Sequence, residues 1–161
     1  MVDEGALREH LRKLLSSEDA HVGFERAVAG VSIEVVGVRP EGGPHSIWQL
    51  VEHLRLAQAD ILDFCVNPAY AERLWPDDYW PVLPAPASAE AWEEALQGYR
   101  KDLVVLQRMA MDPAVDLFAR IPHGTGQTYL RELLLVADHA AYHVGQIVLL
   151  RHQLGLWPPS S

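Results

Sequence analysis

Histidine is the residue type here with the most scope for chemistry. The chain holds eight, against 13 Lys plus Arg, and one pair, His139 and His143, is spaced i, i+4. On a helix these two imidazoles lie about 40° apart and one turn apart on one face, within reach of a single metal ion. The same face carries Leu135, Val136, Gln146 and Leu150, so it is mostly apolar. Imidazoles inside an apolar face cost free energy unless they find partners, and a metal ion is one such partner. A third ligand must come from elsewhere. His53 is the best candidate, because Leu50, Leu56, Ala57 and Phe64 share its face, with Gln49 and Asp60 one and two turns away. Three neutral imidazoles on two facing helices can hold a divalent ion and leave positions open for water or substrate. Such an ion lowers the pKa of bound water toward about 7, or ionises an incoming thiol. The competing reading makes His53 a core histidine bonded to a backbone carbonyl, and spacing does not choose between them.

Around this trio, Gln146 lies one turn beyond His143 and can orient water or a ligand. Tyr142 offers a hydroxyl or a packing ring. Glu52 neighbours His53 but points about 100° away around the helix, which makes it a doubtful general base. The remaining histidines read as bland. His45 precedes a helix beside Pro44 as a loop residue, His123 sits in an Ile-Pro-His-Gly-Thr-Gly turn, His152 suits a helix C-terminus, and His10 reads as surface. Glu18 and His21 form half of a di-iron motif whose second half is missing, so His21 reads as local packing or surface. Position 140 is Ala140, so the metalloprotease His-Glu-x-x-His motif is absent. Gly124 and Gly126 complete no dinucleotide fingerprint, and there is no phosphate loop. Cys65 lies about 18 Å along the helix from His53 and reads as a buried structural thiol.

These side chains need helices to position them, and the pattern is helical nearly throughout. A first segment is expected from Asp3 to Ala29, with Leu7, Leu11, Leu14, Leu15, Val22 and Val28 as its stripe, Arg8, Arg12 and Lys13 around it, and Gly30 as its stop. The stretch VSIEVVGV reads as a turn or irregular chain. A second helix starts at Ser46, where Ser46 and Gln49 form a capping box, and ends near Asn67 before Pro68. Residues 74–87, with four prolines and two tryptophans, predict an irregular loop pinned by its aromatics. These rings can line a substrate mouth, form a dimer contact, or close the bottom of the core. A third helix runs from the N-cap Ser88 to Met111. A fourth runs from the N-cap Thr128 to about Leu154, with Gly155 after it. The expected fold class is all-α, a four-helix bundle.

Composition narrows the function classes. The chain has 161 residues, 49% hydrophobic and 22% charged, which fits one domain over residues 1–161. A formal net charge of -9 argues against nucleic acid and anionic membranes as partners, since both demand cationic surface. One cysteine excludes an internal disulfide framework and a cysteine-rich zinc site. The start MVDEGALREHLRKLL lacks the features of a secretory signal. Asp138, His139, His143 and Gln146 interrupt the longest apolar stretch, so no membrane span is expected. A cytoplasmic protein is the expectation.

The strings DHAAYHVGQIVLLRHQLGLW and HSIWQLVEHLRLAQADILDF resemble the DinB/YfiT-like superfamily of bacterial helical bundles, along essentially the whole chain. The resemblance implies a four-helix bundle, often homodimeric, with three histidines holding a divalent ion. Nickel or zinc comes first, with iron, manganese or copper as other occupants. The implied ligands are His53, His139 and His143. The implied chemistry is thiol S-transfer or isomerisation with a low-molecular-weight thiol such as mycothiol or bacillithiol, or metal-dependent hydrolysis. A small molecule would take the open metal position. The alternative is a non-catalytic dimeric bundle with a structural or adventitious ion, acting as a binding or stress-response module.

Overall fold

The computed structural model describes residues 4–16 and 19–159. Its helices are α1 (Glu4–Ser16), α2 (Phe24–Val28), α3 (Ile47–Val66), α4 (Ala89–Met111) and α5 (Tyr129–Gln153), with a 3-10 turn at Asp77–Tyr79. Among the described residues there is no strand, only an isolated antiparallel bridge between Arg120 and Thr128. The four longer helices make an all-α bundle in which α1 and α3 each pack between α4 and α5. Two apolar clusters fill it. One gathers Trp48, Leu54, Trp92, Leu96, Tyr99 and Ile147, and the other Leu11, Leu15, Leu106, Leu117 and Leu133. Leu103 packs against both.

The helix starts follow from side-chain capping. Ser46 accepts from Gln49 N while the Gln49 side chain accepts from Ser46 N, closing the box. Ser88 and Thr128 accept from Ala91 N and Arg131 N, each at 3.2 Å. These bonds satisfy first-turn amides that have no carbonyl partner within the helix. Gly30 and Gly155 follow their helices with φ of 67° and 70°, the left-handed backbone that glycine enters without a Cβ clash.

Three expectations need correction. The first segment is two helices, not one. The Ser16 hydroxyl bonds back to the Lys13 carbonyl at 2.7 Å, an alternative to helical pairing, and Gly23 takes extended backbone, φ -80° and ψ 171°, to begin α2. Asp3 and Glu18 lie outside the described residues, so the expected start of that segment and the Glu18–His21 half-motif do too; His21 itself is exposed. Secondly, Arg8 is not on the wet side of α1 but 6% exposed. Its guanidinium donates to the carbonyls of Ala110, Asp112 and Val115 at 3.0, 2.8 and 2.7 Å. It thereby satisfies acceptors at and beyond the end of α4. Thirdly, α5 is long and apolar enough by length and composition to cross a membrane, contrary to the expectation from its polar residues. In the bundle its Leu133, Val136, Ala140, Val144 and Ile147 are buried against other helices, so core packing accounts for that composition.

Candidate metal centre

The bundle brings His53 from α3 together with His139 and His143 from α5, and the ligand atoms all lie within 4.8 Å of one another. The closest approach is His53 Nε2 to His139 Nε2, 3.0 Å. Capping decides the register. The Ser46 box starts α3 so that His53 falls on its buried face, and the Thr128 cap starts α5 so that His139 and His143 face it across the α3–α5 seam.

Hydrogen bonds assign the tautomers. His53 Nδ1 lies 2.8 Å from the Tyr79 carbonyl. A carbonyl only accepts, so Nδ1 carries the proton and Nε2 presents its lone pair. His143 Nδ1 lies 2.7 Å from Gln146 Oε1, which directs its Nε2 lone pair toward the cluster in the same way. Outer partners of this kind fix ring orientation and raise ligand basicity. His53 is therefore a core histidine on a backbone carbonyl, and its Nε2 faces the other two rings, as the metal reading requires.

Burial holds all three rings neutral. His53 is 2% exposed. Desolvation pushes its pKa down to about 4, outweighing the Tyr79 carbonyl, which favours the charged form. His139 falls to about 4, chiefly from burial and then from its two histidine neighbours. His143 is lowered by burial against the opposing pull of Gln146. Neutral lone pairs, a saturated second nitrogen on two of three rings, and a low cost of removing protons make this donor set fit a divalent ion.

The same shifts predict a pH dependence of the metal-free protein. Folded pKa values near 4 against an unfolded value of 6.5 mean that the unfolded chain binds more protons between those limits. This part of the stability is complete above pH 6.5 and declines as pH falls toward about 4. In chelator-treated protein the melting temperature is expected to drop between pH 6.5 and 5, above the range where most carboxylates titrate. A flat profile there would contradict the burial argument.

The surrounding residues divide unevenly. Gln146 is on His143, as described. Replacing it by Leu should weaken metal affinity about 10-fold or more, the usual scale for losing an outer partner, as read by competition with a chromophoric chelator. Tyr142 is 64% exposed and meets His143 edge-on, ring centroids 4.9 Å apart. Glu52 is not brought to the cluster; its carboxylate pairs with Arg55 at 2.6 Å beside Ala91, Glu94 and Ala95 of α4. Cys65 is buried, its thiol pushed up to about 12 by desolvation, and does not join the group.

Two features escaped the sequence. Trp80 lies flat on His53, centroids 3.8 Å apart and 4° from parallel, and His45 covers its other face at 4.1 Å. The loop is also tied down by Tyr79, whose hydroxyl donates to Asp60 at 2.7 Å while its carbonyl holds His53. Of the three roles open to the 74–87 aromatics, Trp80 roofs the histidines, whereas Trp75 is 70% exposed at their margin. Loop register depends on contacts with residues distant in the chain, which leave no periodic trace; only the clustering of Trp and Tyr hinted at it.

Comparison with known families matches residues 18–147 to the DinB superfamily. The chain belongs to the DinB superfamily. The match is narrower than the resemblance read from the sequence, since it leaves out α1 and the end of α5. No curated protein and no solved structure shows a significant match to the chain. For this DinB chain, family and histidine cluster together fit a metal-binding helical protein.

Proposed function

We propose that His53, His139 and His143 hold a divalent ion, nickel or zinc before iron, manganese or copper, and that the protein is a metal-dependent enzyme of the thiol S-transferase or hydrolase type. It would work on a small molecule, as a cytoplasmic homodimer. The observation that carries the reading is the convergence of three neutral imidazole nitrogens, two with their other nitrogen already committed to an acceptor. Among the described residues no cysteine or carboxylate joins the group, and a three-ligand set leaves room for substrate, as catalytic sites do. When bound, a divalent ion supplies Lewis-acid chemistry, polarising a carbonyl or acidifying water or a thiol. The chain's own residues orient and shield. The Tyr79 carbonyl and Gln146 fix the rings, and Trp80 excludes water from the flat side of His53.

One observation favours a second reading, a non-catalytic bundle with a structural ion. Glu52 and Asp138, the carboxylates next to His53 and His139 in sequence, both stay outside the cluster: Glu52 is turned to Arg55 and Asp138 is exposed, so neither stands ready as its acid–base group. The test separates metal from catalysis. Purified protein is expected to carry one equivalent of ion by elemental analysis. Chelator should lower its melting temperature and zinc restore it. A free ion at 100 times its dissociation constant adds about 2.7 kcal/mol, about 5–10 °C for a chain of this size. If a thiol such as bacillithiol then raises the melting temperature in metal-loaded protein only, the transferase branch is favoured. Absence of both ion and shift would reject the metal reading.

A further inference from the structure

A second feature of the α3–α5 seam gives the proposed enzyme a substrate class. Beyond the histidines toward the end of α5 lies a cavity of about 250 Å³. Leu50, Leu149 and Leu150 give it apolar walls; His45 and Gln146 give it polar groups at one end, and Gln153, two turns farther along α5, adds another amide. His45 and Gln146 belong to the shell of the histidine cluster. Gln146 accepts from His143, and His45 lies on Trp80, which lies on His53. So the end of the cavity that adjoins the cluster is polar.

The remaining hydrogen-bonding capacity there is specific. The Gln146 oxygen is turned to His143, so what this side chain has left to offer a ligand is its NH2, a donor. The His45 ring face is occupied by Trp80, leaving its edge nitrogens for a ligand. Burial and the nearby Arg39 hold His45 below its ordinary pKa, which favours its neutral form. The charged residue on the wall is Glu41, which repels anions. An engineered apolar cavity of about 150 Å³ holds benzene; about 250 Å³ leaves room for a ring plus a short polar substituent.

We propose that this cavity binds a small uncharged molecule consisting of an apolar body, seated against Leu50, Leu149 and Leu150, and one hydrogen-bond acceptor directed at Gln146 and His45. The proposal rests on the reading of the histidines as a metal centre only for its consequence, that the acceptor end of the ligand is the end presented to the ion. The walls themselves consist of protein groups, so binding is separable from metal.

The experiment is an NMR titration of the protein with benzamide, benzoate and toluene, with and without zinc, beside an independent zinc titration. Benzamide is expected to bind saturably in both states, shifting resonances of Gln146 and Leu149, with benzoate and toluene at least about tenfold weaker. Leu149 is 58% exposed, so Leu149→Glu should keep the fold and lose about tenfold in benzamide affinity, the scale of one apolar side-chain contact. Gln146→Leu should remove the preference for benzamide over toluene. No binding of benzamide in either state, benzoate binding as well as benzamide, or affinity indifferent to Leu149→Glu would each overturn the proposal. Failure of zinc to bind while benzamide binds as expected would strike the metal reading and leave the cavity standing.

Discussion

His143→Ala should cut divalent-metal affinity by at least about 100-fold while leaving the helical circular dichroism unchanged. Losing an outer partner costs 10–100-fold, and His143 is one of the three proposed inner ligands, so its loss belongs at or beyond the upper end. The fold should tolerate it for a physical reason. The ring is 6% exposed and desolvated, and its polar bond within the protein is to Gln146, a half-buried side chain on the same helix that can turn to water. A competition titration against a chelator of known affinity, with elemental analysis of the purified variant, reads the outcome. A variant that folds and retains a full equivalent of ion would remove His143 from the ligand set. The same result for His53→Ala and His139→Ala would dissolve the centre altogether.

Arg8→Ala is expected to have the largest effect on stability away from the histidines. The guanidinium bridges the carbonyls of Ala110, Asp112 and Val115, so one substitution removes three bonds, of which the one to Ala110 is buried, while the Asp112 carbonyl keeps Val115 N at 3.1 Å. Hydrogen bonds to charged groups contribute about 1.5–3 kcal/mol, and a stranded buried acceptor such as the Ala110 carbonyl carries a further desolvation penalty. A net loss of about 3 kcal/mol is expected, which lowers the melting temperature by about 6–12 °C at this chain length. Arg8→Lys should recover only part, since one compact ammonium cannot span three carbonyls held by a planar fork. Metal affinity should be unchanged, because α1 packs on α4 and α5 and contributes nothing to the cluster. A melting temperature within 2 °C of the parent, on the order of 1 kcal/mol or less, would show that these bonds are replaced by water without loss.

Those two variants also mark the boundary of what could be read from residues alone. The histidine trio was legible because both of its stretches are regular. A capping residue fixes where each helix begins, and a period of 3.6 then assigns every side chain to a face. Ser46, Ser88, Thr128 and Gly155 all act at the termini where their chemistry placed them. Arg8 was misread by the same logic. A cation beside an apolar stripe reads as solvated unless one knows that the carbonyls at the end of α4 are waiting for a donor. The break between α1 and α2 was missed because Val22 and Val28 continue the helical spacing across it. Trp80, Tyr79 and His45 were invisible as a unit, since their stacking depends on a loop held by partners distant in sequence. Gln49 donates to the Pro81 carbonyl at 3.2 Å, and the Ser46 hydroxyl bonds the Pro84 carbonyl. The capping box that starts α3 therefore also anchors the roof over its own histidine.

His53 and His139 meet across 86 residues of chain. An ion gripping both would act as a removable cross-link that closes this long loop, and closing a long loop takes freedom chiefly from the unfolded chain. Separating α3 from α5 would then require the ion to leave. Departure of the metal and opening of the bundle would then become one kinetic event, and the lifetime of the folded protein would be set by how fast that clasp is undone.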